Sequence, residues 1–389
     1  MGYSSAPVMC RALLAVVSLL AALAAPVQAS SGDSPRTTGQ PRVAASAWYV
    51  VGEDGAVLAQ RNARAARAIA SITKLMTAIV VIEQAQLSDV VRVSPRAAGV
   101  RESTVYLRSG EELTVADLLR GMLIRSANDA AEALALHVGG GSTSRFVGSM
   151  NAKARELGLV DTSFENPHGL DAAGHVSSAR DTTLLVRYAL GIPFIRDALG
   201  RTSVSLPGGR RFPTTDDLLE SWPALVAGKT GHTRAAGWSQ AAAAEAGGVT
   251  VYGTVLGSDS RSARNDGLRR LLTYGLTRYR RIEAIDSNRV YAEVDTGYGQ
   301  SSVRLVAPHT IVRPIRIGTP LAERVVAPAS VALPVRKGQR LGRVEVYDGN
   351  RLVASANLVV AASVAEPGVL GKARWYATRT LGNLWEIVT

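Results

Sequence analysis

The spacing of apolar and polar positions divides the chain into segments of different character. Residues 12–25, ALLAVVSLLAALAA, are an unbroken apolar run preceded by Arg11 and followed by the small-residue cleavage pattern Val27-Gln28-Ala29. This is the three-part layout of an export signal, too short for a bilayer span of about 20 residues, and it predicts a leader over 1–29. Residues 30–43 are rich in Ser, Gly, Pro and Thr and read as a linker. Residues 44–60 alternate around Gly52 and Gly55, which predicts a hairpin. Helical periodicity then runs over 71–86, with further helices expected at 114–124, 127–138, 142–157 and 180–190. A strand-like region follows at 235–257 and a helix near 262–278. Strands at both ends with helices between predict an α+β domain over 44–282 whose sheet is closed by distant segments.

After residue 282 the helical pattern gives way to valine-rich alternation. Val344 to Val353 reads as a hairpin turning at Asp348-Gly349, and Lys337-Gly338 marks another turn. Residues 283–365 are therefore expected to form a small all-β domain. Over 366–389 the period returns to helical. Leu370, Ala373, Ala377, Leu381, Leu384 and Val388 share a face, flanked by Trp375 and Trp385, with Lys372, Arg374 and Arg379 supplying charge. That composition suits an amphipathic helix lying on a membrane surface.

Composition narrows the function. The 389 residues are 47% hydrophobic and 20% charged, which excludes wholesale disorder. The net charge of +12 would suit nucleic acid, but export redirects it toward anionic envelope polymers or lipid head groups. Cys10 is the single cysteine and precedes the apolar run, so no disulfide framework, cysteine metal cluster or cysteine nucleophile is available downstream of the leader. The five histidines, His137, His168, His175, His232 and His309, form no HExxH motif, so neither a metal nor another cofactor is expected. Only five of the 44 basic residues are lysine: Lys74, Lys153, Lys229, Lys337 and Lys372.

Two of these lysines fall in short chemical motifs. Ser71-Ile72-Thr73-Lys74 opens a helix and puts a hydroxyl and an amine on one face. Burial can lower a lysine pKa until it serves as a base. Ser126-Ala127-Asn128 precedes a helical run and reads equally as an N-cap. Lys229-Thr230-Gly231 reads by itself as an ordinary turn, although its glycine would admit close approach of another chain. The three together, in this order, are the motif set of penicillin-binding proteins and serine β-lactamases.

The surrounding text resembles the low-molecular-mass D-alanyl-D-alanine carboxypeptidases of the penicillin-binding protein 5 type. The resembling stretches are ASITKLMTA (70–78), LLRGMLIRSANDAAEALA (118–135), GLVDTSFENPHGLD (158–171), SSARDTTLL (177–185), GKTGHT (228–233) and LLTYG (271–275). The resemblance implies a β-lactamase/transpeptidase-like catalytic domain, an antiparallel sheet flanked by helices plus a helical subdomain, followed by the β domain and the terminal helix. It implies hydrolysis of the terminal D-alanine from peptidoglycan stem peptides and covalent inhibition by β-lactams. Carried over by position, Ser71 is the nucleophile, Lys74 its base, and Ser126 the proton relay to the leaving group. Asn128 would hold the substrate amide, and Lys229, Thr230 and Arg264 its terminal carboxylate. The backbone N–H groups of Ser71 and His232 would form the oxyanion hole. The alternatives are a serine β-lactamase, for which Glu165 is the candidate deacylating carboxylate, and a non-catalytic relative that binds wall peptides. Asp216 and Asp217 depart from the family pattern and are expected to add negative charge near the site.

Overall fold

The structure is a computed structural model; it describes residues 39–101 and 103–388, with side chains as far as Thr380. The leader expected over 1–29 and most of the linker lie outside the described residues. Two compact units are present, one spanning Arg36–Ile282 with Pro314–Gly318, the other Glu283–Arg313 with Thr319 onward.

The first unit is built on a five-stranded antiparallel sheet. Its spatial order is Val57–Arg61, Ala47–Gly52, Val249–Ser258, Gly237–Ala246, Leu225–Thr233. The N-terminal hairpin thus pairs with a strand some 200 residues away in sequence, Ala47 facing Leu256 and Gly52 facing Val251. Alternation assigns the two faces of the sheet. Trp48 and Val50 join Ala242, Ala244 and Val251 in a core closed by Leu268, Leu271 and Leu272 of the helix Arg261–Leu276. Ala47, Tyr49 and Val51 join Ala241 and Ala243 in the larger core on the opposite face. The run Ala241–Ala244 presents only methyl groups to both sides, which lets helices approach the sheet closely.

That larger core contains the helix Lys74–Gln84, whose residues from Lys74 to Val81 are all buried. Helices Val115–Ile124, Asn128–Val138 and Ala179–Leu190 surround it. A helix buried on every side needs no polar face, which explains its weak amphipathic pattern.

Two local expectations change. The Lys229-Thr230-Gly231 motif is no turn; it lies inside the edge strand Leu225–Thr233. The expected N-cap at Ser126 is absent: Ala127 occupies the cap position and makes no side-chain cap bond, while Asp129 Oδ1 accepts from the Ala130 N–H in the first turn. Both side chains that could have capped it point elsewhere, as shown below.

The second unit carries a six-stranded sheet, ordered Leu321–Val326, Arg340–Asp348, Arg351–Val360, Val303–Val306, Val290–Thr296, Ser330–Val331. The hairpin expected near 348 turns at Gly349-Asn350, since Asp348 pairs with Arg351. The helix Val369–Val388 follows. Its Trp375 meets Tyr298 edge-on at 5.6 Å, and Leu370, Ala373 and Ala377 are exposed. Side chains of Leu381, Leu384, Trp385 and Val388 lie outside the described residues. No described helix is long and apolar enough to cross a membrane.

Candidate active site

Ser71 sits in a single 3-10 turn, Ala70–Thr73, leading directly into the buried helix. Ala70 is held at φ +48, a conformation disfavoured for residues with a side chain and tolerated where surrounding contacts enforce it. Two glycines make those contacts. At Gly231 a Cβ would lie 2.7 Å from the Ile69 carbonyl oxygen and 3.2 Å from Ser71 N, so the edge strand can pass the turn only without a side chain. Gly169, at φ +88, would place a Cβ 2.0 Å from the Ala70 oxygen. Strand and loop therefore clamp the turn that presents the hydroxyl.

Lys74 is fully buried. Its Nζ lies 2.8 Å from Ser71 Oγ, 2.7 Å from Asn128 Oδ1 and 2.6 Å from the His168 carbonyl oxygen. In the neutral form of the amine two N–H bonds would donate to Asn128 and His168, leaving the lone pair for the serine proton; the charged form would donate to all three oxygens. Burial holds the Lys74 pKa well below the usual lysine range, and the charge of Lys229 pushes the same way against an opposing pull from Asp129.

Ser126 lies at φ +65, which turns its hydroxyl into the cleft instead of onto the helix start. Lys229 Nζ donates to Ser126 Oγ at 3.0 Å and to the Thr230 carbonyl at 3.0 Å. Burial is also the main cause lowering Lys229, to about 7, with Asp216 raising and Arg264 lowering it further. Thr230 Oγ1 is 2.7 Å from Thr215 Oγ1. His232 is exposed and lies against Trp238, ring centroids 4.1 Å apart. Arg264 is buried at the cleft wall, bonded to Asn265 Oδ1 and 3.6 Å from Asp217.

These groups border one cleft of about 380 Å³, lined among others by Ser71, Ser126, Thr230, Gly231, His232 and Arg264. Residues scattered over more than 150 positions of sequence thus form two hydrogen-bonded groups, Ser71–Lys74–Asn128 and Ser126–Lys229, whose two serines line the same cleft. Asn128 grips Lys74 through its carbonyl while its amide donates to the Arg101 oxygen.

Several contributors escaped the sequence. Thr215 bridges to Thr230, and Ser103, Arg125 and Trp238 also line the cleft. His175 supports the nucleophile turn from behind. Its Nδ1 accepts the Glu165 N–H, so Nε2 carries the proton and donates to Thr73 Oγ1 at 2.7 Å. Burial pushes the His175 pKa down to about 4, consistent with that neutral ring.

The acidic residues stand near the site, where Asp216 acts on Lys229 and both act on Arg264, but neither lines the cleft. Asp217 is taken up by Arg261 and by Asn265, and Asp216 is buried on Gln240 Nε2 at 2.7 Å. Burial raises the Asp216 pKa. Glu165 is exposed, its carboxylate beside Gly174. Among the described residues no carboxylate lines the cleft.

Comparison with known proteins agrees with this geometry. Residues 34–260 match the model of the D-alanyl-D-alanine carboxypeptidase family, and residues 279–366 match the C-terminal domain of penicillin-binding protein 5. The D-alanyl-D-alanine carboxypeptidase DacF of Bacillus subtilis is 30% identical over 376 residues, covering 92% of this chain and 94% of that protein. DacC of Escherichia coli is 31% identical over 360 residues, covering 87% and 88%. Among solved structures, penicillin-binding protein 5 of Haemophilus influenzae superposes with a TM-score of 0.61 at 28% identity, covering 86% of this chain and all of that one. The Streptomyces K15 DD-transpeptidase gives 0.59 at 31% identity over 62% of this chain and all of that one.

Proposed function

The chain belongs to the D-alanyl-D-alanine carboxypeptidase family, and from that premise we infer how its cleft divides the work of a serine-type D-Ala-D-Ala carboxypeptidase. Such an enzyme removes the terminal D-alanine of peptidoglycan stem peptides. Ser71 Oγ attacks the carbonyl carbon between the two D-alanines while its proton passes to the neutral Lys74 Nζ. The developing oxyanion is held by the backbone N–H groups of Ser71 and His232; one such donor is typically worth about 10²–10³ in rate. Ser126, its oxygen already engaged by Lys229, directs its own proton to the leaving nitrogen. D-Alanine departs, and water then attacks the ester on Ser71 to release the shortened peptide. Asn128 keeps Lys74 oriented and offers its amide to the substrate backbone. Lys229, Thr230 and Arg264 hold the terminal carboxylate.

The observation that carries this reading is the 2.8 Å contact between a buried lysine, its pKa pushed down by burial, and a hydroxyl on a clamped turn. Binding an anion beside Lys229 favours its charged form, so substrate uptake draws a proton to that amine near pH 7. Penicillin acylates the same oxygen, and its leaving nitrogen stays tethered to the acyl group. The test is D-alanine release from diacetyl-L-lysyl-D-alanyl-D-alanine. Release is expected and should stop after stoichiometric penicillin, while nitrocefin turns over only slowly. Absence of release, or rapid nitrocefin turnover, would overturn the reading.

The reading extends to location. The apolar leader supports export, and the exposed apolar start and basic residues of the helix Val369–Val388 support attachment to the outer face of the cytoplasmic membrane. Deleting 366–389 should move the protein from the membrane to the soluble fraction; an unchanged partition on fractionation would reject the anchor.

A further inference from the structure

Three arginines line the cleft, Arg125, Arg261 and Arg264. Two of them have anionic or amide partners. Arg261 is paired with Asp217, and Arg264 bonds Asn265 with Asp217 nearby. Arg125 differs: among the described residues no carboxylate meets it, and its Nε is buried without a hydrogen-bond partner. Its guanidinium lies 5.8 Å from the centroid of the Phe212 ring, and Phe212 packs in turn on Tyr106 at 6.0 Å. The backbone is fixed as well. Arg125 closes the helix Val115–Ile124 by donating to the Gly121 oxygen, and its own carbonyl accepts from Ser103 Oγ at 2.9 Å. A half-buried cation on an aromatic shelf, met by no carboxylate among the described residues, is suited to an anionic ligand.

Its position says which anion. Arg125 immediately precedes Ser126, the residue facing the leaving group. Thr215 N–H donates to the Ile124 carbonyl, and Thr215 Oγ1 reaches Thr230 Oγ1. Arg125 therefore stands at the Lys229–Thr230 end of the cleft, where the C-terminal residue of the substrate would lie. We propose that Arg125 is a specificity-determining residue that pairs with the C-terminal carboxylate of the substrate, and with the equivalent carboxylate of a penicillin, in addition to Arg264. This rests on the peptidase reading above and deepens it.

The test compares wild type, Arg125→Gln and Arg125→Lys on two penicillins, benzylpenicillin and its methyl ester, and on the diacetyl peptide. Arg125→Gln should lower the acylation rate constant for the free acid by about 10- to 100-fold, the worth of one charged hydrogen-bonded contact, and leave the ester rate within about twofold. For the peptide, KM should rise with kcat little changed, and Arg125→Lys should recover part of the loss. Equal losses on acid and ester, or no loss on either, would overturn the assignment. A wild-type enzyme inert toward peptide and penicillin alike would instead sink the peptidase reading and this proposal with it.

Discussion

Replacing Ser71 with alanine should abolish D-alanine release and covalent capture of penicillin together, a loss of roughly 10⁴–10⁶ in turnover. Intact-protein mass after incubation with penicillin reads this directly: wild type gains one inhibitor mass and Ser71→Ala gains none. The expectation is large because among the described residues no other hydroxyl is hydrogen-bonded to Lys74. Ser126 also faces the cleft, but its partner is Lys229, which donates to it. Ser126→Ala should therefore still be acylated, more slowly, for want of proton delivery to the leaving nitrogen. If the adduct appeared on Ser71→Ala and vanished on Ser126→Ala, the roles of the two serines would have to be exchanged. The variant is otherwise mild, since it removes one oxygen at a turn whose backbone is fixed by Gly169 and Gly231.

The chemistry was legible in the sequence where a reaction demands a residue type at a fixed place. Ser71 and Lys74 could be placed on one helix face from their spacing alone, and Lys229 stood out in a chain that otherwise uses arginine. The strand carrying Lys229 was not legible as a strand. Gly228 and Gly231 interrupt any alternation there, and the reason for Gly231 is a close approach to Ile69 that exists only in the folded state. Ser126 and Asn128 have the composition of a helix cap, and local preference alone would put them there. Tertiary partners, Lys229 for one and Lys74 for the other, outcompete that local bond. Asp216 and Asp217 illustrate the same limit. Their charge was readable, but the burial of one and the Arg261 partner of the other depend on segments distant in sequence. Arg125 stands inside the resembling stretch 118–135 and Thr215 beside Asp216, but residue type alone gives neither a role; the hydrogen bond from Thr215 to the Ile124 carbonyl brings their backbones together at the cleft.

Two buried lysines with depressed pKa values compete for the part of general base, and Lys74→Met decides between them. Lys229 is pushed down to about 7 and is thus a competent base by acidity alone. Geometry favours Lys74, since Lys229 meets Ser126 while Lys74 meets Ser71. Lys74→Met is expected to cut kcat by about 10²–10⁴, the range for loss of a positioned base. Methionine matches the chain length and volume, so the cost to the fold is chiefly the two acceptors left behind, Asn128 Oδ1 and the His168 carbonyl, at about 1–3 kcal/mol each. Thermal unfolding should confirm a folded variant. The pH profile separates the candidates further. A base must be neutral to act, so kcat/KM for wild type should rise with pH as the catalytic amine loses its proton. That acid limb should fall well below the ordinary lysine pKa, in the direction burial pushes Lys74. In Lys74→Met the residual activity should lose this limb. Were turnover to survive within tenfold with the limb intact, Lys229 acting through Ser126 would be the base, and the Lys74 contact with Ser71 would serve orientation alone.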